Sequence, residues 1–311
     1  MSDAPPENLP VEERRVSARR SPRARQPNPT RKRKKFLPTP RDLEILRLVA
    51  RFRFLQPRHI HAVLEGSAQQ IARRCGELYH EKFLDRPRNQ FGGGAVHDPV
   101  IYALTNTGRA LIGGQRPLPF LTDYSENNRT ATAGFMAHTI ASNEFLITLE
   151  HGAKSYGYEL RWGGHRSTPI LEVPWLDGPA RFQADALVWL EHPQRGEVAH
   201  FLETDRSTIT LERMRERYMR YYLWWKSDAP QALLGRDDFR IVTVTKSPER
   251  MATLRKEAAA ATAAVLGRAF REPWRGFLFT HAGAFDITHP RSITERIFHF
   301  ATDEPPISLL E

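Results

Sequence analysis

The chain has little with which to build several common kinds of protein. Its 311 residues contain a single cysteine, Cys75, which excludes an internal disulfide and any cysteine-based zinc cluster. No run approaches the roughly 20 apolar residues that span a bilayer. The amino terminus is rich in proline and charge and lacks the apolar stretch of a signal peptide, so a cytoplasmic protein with no membrane partner is expected. Also missing are a Walker loop, a nucleophile motif and a histidine pair at metal-ligand spacing, which leaves nucleotide hydrolysis, acyl transfer and zinc chemistry without support. His59 and His61 stand without further ligands and read as surface or phosphate-contacting residues.

What the chain does have is positive charge, unevenly placed. The net charge is +10, and residues 1–35 carry eleven basic and four acidic residues, a net of +7 that leaves only +3 for the rest. So charged and proline-rich a tail cannot bury enough apolar surface to offset its ordering entropy, and residues 1–35 are predicted to be disordered. Blocks of like charge commonly meet a polyanion. Arg31, Lys32, Arg33, Lys34 and Lys35 are therefore candidate nucleic-acid contacts, with mere solubility or an anionic membrane surface as the alternatives.

Residues 67–84, SAQQIARRCGELYHEKFL, are the stretch around which the first folded part is organised. Ser67 and Gln70 have the spacing of a helix-starting capping box. Ile71, Cys75 and Leu78 recur at steps of four and three, with Ala72 and Tyr79 widening the stripe toward a core. The opposite side carries Gln69, Gln70, Arg73, Glu77 and His80, with Arg74 at its margin. In a major groove glutamine pairs with adenine, arginine with guanine, and glutamate accepts from cytosine; the plainer reading is a solvated helix face. Upstream, Thr39-Pro40-Arg41-Asp42 opens a helix and residues 58–64 form a second, short one, so the order is that of a helix-turn-helix. Downstream, Arg86 and Arg88 precede a Gly92-Gly93-Gly94 run and an apolar strand over residues 100–104, a hairpin whose tip, with His97, would touch a DNA backbone. The closing stretch YALTNTGRALI resembles the ending of many winged-helix regulators. Residues 36–112 thus read as a winged-helix DNA-binding domain. Residues 113–132, rich in Gly, Pro, Asn and Ser, read as a linker, and residues 133–311 as a second domain.

That second domain has an α/β pattern. A helix over residues 135–149 carries Glu144, and extended segments come after it at 155–162, 182–190 and 198–205. Alternation puts Phe182, Ala184, Ala186, Val188 and Leu190 on one side and Asp185 on the other; in the next segment Ala199, Phe201, Glu203 and Asp205 share a face. A carboxylate on an apolar face needs a partner or a role. A helix starting after Ser207 or Thr208 turns Met214, Tyr218, Tyr221 and Tyr222 inward and Arg213, Arg217 and Arg220 outward. Its aromatic residues read as core or as a homodimer surface. A strand over 239–244, an alanine-rich helix over 248–269 and a strand over 277–279 complete the order. It is similar to that of the restriction-endonuclease-like core, in which an acid is followed by Glu or Asp, one residue, and lysine. That resemblance implies Asp185 and Glu203 as ligands of a Mg²⁺ ion and Asp185, Glu203 and Asp205 as the catalytic set, although Asp205 stands where the lysine is expected.

A second resemblance covers most of residues 39–280. The winged-helix pattern, YALTNTGRALI, HTIASNEF, ADALVWLE, FLETDRSTITLERMRERYMRYY and FRIVTVTKSPERMATLR together look like the replication-relaxation family of plasmid and mobile-element proteins. The family implies a winged helix joined to a degenerate nuclease-like domain, double-stranded DNA as partner, and a role in plasmid replication, DNA relaxation or mobilisation. Alternatives from other classes are a metal-dependent nuclease or nickase, and a transcriptional regulator or adaptor that recruits a relaxase or replication initiator.

Overall fold

Thr39 and Pro40 start the first helix. In the computed structural model, which describes residues 36–64, 66–91, 99–113, 124–164, 167–175, 178–266 and 274–311, α1 (Pro40–Phe52) opens with a capping box. Thr39 N and Oγ1 donate to Asp42 Oδ2 at 2.7 and 2.8 Å, and Asp42 N returns a bond to Thr39 Oγ1. Arg31 to Lys35 and His97 lie outside the described residues. The chain continues through β1 (Phe54–Leu55), α2 (Pro57–Val63) and α3 (Ala68–His80). Ser67 Oγ accepts from Gln70 N at 3.1 Å, so α3 begins where the capping pattern predicts.

Two short strands, β2 (Leu84–Asp85) and β3 (Tyr102–Leu104), complete a three-stranded antiparallel sheet in the order β1-β3-β2. It encloses, with the three helices, a core of Ile45, Leu46, Val49, Phe52, Ile60, Ile71, Cys75 and Leu78. Burial pushes the Cys75 thiol up to about 12, which makes it an unreactive apolar filler. Ala72 is exposed, so the buried stripe of α3 is narrower than its sequence suggests. Thr105 then caps α4 (Asn106–Ile112) by accepting from Gly108 N at 2.9 Å, while its hydroxyl donates to Lys82 O at 2.6 Å. A Cβ on Gly108 would lie 2.1 Å from the Phe83 carbonyl oxygen. Only glycine lets α4 close against the hairpin, and that is the physical content of the Thr-x-x-Gly turn.

The stretch that reads as a linker ends in α5 (Tyr124–Arg129), whose buried Asn128 donates to Leu104 O at 2.9 Å. From there the chain enters α6 (Ala133–Lys154). This helix is sandwiched. On one side Asn143 Nδ2 donates to Phe52 O and Phe54 O at 2.9 and 2.7 Å, Glu144 accepts from both terminal nitrogens of Arg58 and lies 3.3 Å from His59 Nε2, and Arg51 pairs with Glu150 at 2.9 Å. His59, read from the sequence as a surface or phosphate-contacting residue, is instead fully buried, with Nδ1 accepting from Gln56 N at 3.1 Å. The reason is that α6 covers α2.

On its other side α6 packs against a six-stranded mixed sheet. Its strands are β4 (Glu159–Arg161), β7 (Ala186–His192), β8 (Gly196–Asp205), β9 (Phe239–Thr245), β10 (Phe277–His281) and β11 (His299–Phe300), placed side by side in the order β11-β10-β9-β8-β7-β4. The central strands β8, β9 and β10 are parallel and the rest antiparallel. Helices α7 (Leu211–Trp225) and α9 (Pro248–Leu266) make the parallel crossovers and cover the face away from α6, with α8 (Ala229–Leu234) coming after α7. The fold is therefore mixed α/β, with the sheet between helical layers. A separate hairpin, β5 (Ile170–Val173) and β6 (Ala180–Gln183), lies over α7; the sequence pattern predicts no strand at β5. Tyr218, Tyr221, Tyr222 and Trp224 are spent in this core with Phe201, Phe239 and Phe277. Residues 38–311 form one compact unit, and no described helix is long and apolar enough to cross a membrane.

Candidate nucleic-acid interface and acid cluster

The exposed side of α3 presents Gln69, Gln70, Arg73 and His80 to solvent, because Ile71, Cys75 and Leu78 commit the opposite side to the core. Two candidates from the same helix are engaged elsewhere. Arg74 holds buried Asp42 through Nε at 2.8 Å and through Nη2, and gives Nη1 to Glu77. Glu77 also takes Arg73 Nη1, at 3.3 Å. Of the hairpin candidates, Arg88 is exposed, whereas Arg86 turns inward. Its guanidinium lies over the Tyr79 ring at 4.3 Å and donates to the Tyr102 hydroxyl at 2.8 Å. A shallow cleft of about 340 Å³ opens beside α3 between Arg41, Gly66, Ser67 and Arg73.

The acids of the second half occupy the carboxyl end of β8 and the loop before β7, where open α/β sheets commonly keep their sites. Asp185 accepts from Thr204 N at 2.7 Å and pairs with His138 Nε2 at 2.9 Å. That hydrogen bond raises the His138 imidazole above its usual range. Glu203 is buried, 2.7 Å from Arg217 Nη2 and bonded by the Tyr221 hydroxyl. Burial pushes its carboxyl up to about 7 against the pull of Arg217. Asp205 is clamped by Arg250 through Nε at 2.8 Å and Nη2 at 3.0 Å.

The donor set does not suit the divalent cation that the fold resemblance implies. The three acids sit in three separate ion pairs, and among the described residues no group of three or more His, Cys, Asp and Glu side chains is placed to hold a metal ion. Arg217 and Arg220, expected to project outward, instead lie partly covered: Arg217 reaches Glu203 and Gln183 O, and Arg220 stacks on Trp175 at 5.0 Å. The β5–β6 hairpin covers that flank of α7. Arg213 remains exposed. Sequence reasoning missed His138 and Arg250, which had no local partner to betray them.

The family model for replication-relaxation proteins matches residues 46–235, more than half of the chain. The chain belongs to the replication-relaxation family. Membership suggests a role in plasmid or mobile-element replication or relaxation. No curated protein and no solved structure matches it. Within this replication-relaxation chain the matched segment covers α2 to α8 and takes in Asp185, Glu203 and Asp205 with His138 and Arg217. Arg250, which neutralises Asp205, lies beyond it, as Asp42 lies before it.

Proposed function

We propose that residues 36–112 are a winged helix that reads duplex DNA, with α3 in the major groove and the β2–β3 hairpin beside it, in the service of plasmid or mobile-element replication, relaxation or mobilisation. The observation that carries the reading is the two-sided character of α3: an apolar side fixed in a three-helix core, and an outward side with two glutamines and an arginine in view of solvent. Phosphate contacts from the basic tail and Arg88 supply affinity, and Gln69, Gln70 and Arg73 supply discrimination. The second half, whose helix–sheet order resembles that of the restriction-endonuclease-like core, acts as scaffold. The pairing of Asp185, Glu203 and Asp205 with His138, Arg217 and Arg250 supports a binding module over a nuclease.

Selection of bound duplexes from a randomised pool by the full-length chain tests this. A recurring motif is expected, with Arg73→Ala relaxing one position at a cost of about 1 to 3 kcal/mol; recovery of no preferred sequence would refute base reading. Supercoiled plasmid with Mg²⁺ or Mn²⁺ should remain uncut. Cutting that Asp185→Ala and Glu203→Ala both abolish would establish the nuclease instead.

A further inference from the structure

A chain of alternating charge runs from the interior of the first three helices to the most exposed arginine of α3. At its inner end Asp42, 0% exposed, accepts from Thr39 and from two nitrogens of Arg74. Arg74, 21% exposed, bonds Glu77 Oε2, and Glu77, 35% exposed, turns Oε1 to Arg73, whose side chain is 66% exposed. Burial alone would push the Asp42 carboxyl up, but hydrogen bonds from Arg74 and Thr39 hold it below the usual carboxylate range. The inner anchor is thus charged at neutral pH and cannot be given up without leaving a buried acid unpaired.

Such an arrangement matters most to the last member. A free arginine on a helix surface gives up side-chain entropy when it docks on a base, and a side chain already steered gives up less. Glu77, with both carboxylate oxygens on arginines, is poorly disposed to accept from cytosine. Arg73 spends one of its five donors on Glu77 and keeps the others for a paired contact with guanine.

We propose that Asp42, Arg74 and Glu77 are positioning residues that aim Arg73, so that Arg74 and Glu77 set base preference without touching a base. The inference rests on the duplex reading above. Its test uses the full-length chain, a selected duplex, and that duplex with each base pair exchanged in turn. Arg73→Ala should lower the preference for one base pair by about tenfold or more. Glu77→Gln, which keeps shape and removes charge, should lower the preference at that same pair by about threefold or more, and should add nothing in the Arg73→Ala background. Because it removes a negative charge near phosphates, it should leave affinity for a random duplex unchanged or higher. A general loss of structure would lower both together, and thermal melting of each variant shows whether the fold is kept. Asp42→Asn gives a second reading of the same relay at its buried end. Unchanged preference in Glu77→Gln, an effect additive with Arg73→Ala, or equal weakening on every duplex overturns the proposal. A wild-type chain that binds no duplex overturns the duplex reading itself, a result distinct from a wild type that reads a base which Glu77→Gln still reads.

Discussion

A buried, neutral imidazole sits in the middle of the sheet. His200, on β8, is 1% exposed, and neither ring nitrogen has a hydrogen bond among the described residues. Burial, with Arg240 and Arg236 adding to it, pushes its pKa down to about 3. The unfolded imidazole takes up a proton below its ordinary 6.5, whereas the folded one stays neutral to about 3. Stability therefore falls on this account as pH drops from 6.5 toward 3. His200→Leu, similar in volume and apolar, is expected to stabilise the fold by about 1 to 3 kcal/mol at neutral pH and to flatten that acid-side slope; urea titrations at pH 7 and pH 5 measure both. A substitution at the Asp205–Arg250 pair should change stability in the opposite sense. Asp205 is almost fully buried, so Arg250→Ala strands a charge and should cost about 3 to 5 kcal/mol in the same titration.

At the scale of elements, the legible parts were those in which one strand or helix carries its own signal. The capping residues of α1 and α3 express local geometry and are found in the structure; the burial alternation along residues 182–190 is found too, but the expected single segment breaks at Ala184 and Asp185 into β6 and β7, which belong to different sheets. β8 is buried on both faces: alternation places Glu203 and Asp205 on one side, and an arginine of the next helix, Arg217, is a partner the sequence allows for Glu203, but Arg250 reaches Asp205 from α9, 45 residues away, and has no local trace. The β5 strand is four residues long between Pro169 and Pro174, too short to announce itself, and missing it is why Arg217 and Arg220 were expected in solvent. The motif HTIASNEF shows how much a short helical segment can hide. His138 serves Asp185, Ser142 shares a 2.8 Å bond with Thr204, Asn143 ties α6 to Phe52 and Phe54, and Glu144 ties it to α2. Each job needs a distant partner, so none is visible from spacing. Asn143→Ala leaves two buried carbonyls without their donor and should cost about 2 to 4 kcal/mol. Amide exchange in α1 and β1 should speed up along with that loss. Exchange unchanged in α1 would mean that the seam is held by its ion pairs instead.

At the scale of the whole molecule, charge is divided unevenly along the chain. Residues 36–311 carry nearly balanced charge, a net of +3, while the surplus is concentrated in residues 1–35. Under the duplex reading, the parts should therefore leave separate marks on binding. Each phosphate neutralised adds about 0.9 to the slope of log affinity against log salt. Replacing Arg31, Lys32, Arg33, Lys34 and Lys35 together by glutamine in the full chain should lower the steepness by as much as about 4 to 5, with the preferred sequence unchanged. Arg73→Ala should do the reverse, altering one base position while moving the slope by about 1 at most. If the five-glutamine variant keeps the parent slope, those five side chains make no phosphate contact and the affinity must come from elsewhere in the chain. With Arg74 and Arg86 tied inside the winged-helix head, its phosphate contacts would then fall to exposed side chains such as Arg47, Lys82 and Arg88, and replacing those three by glutamine should flatten the slope instead.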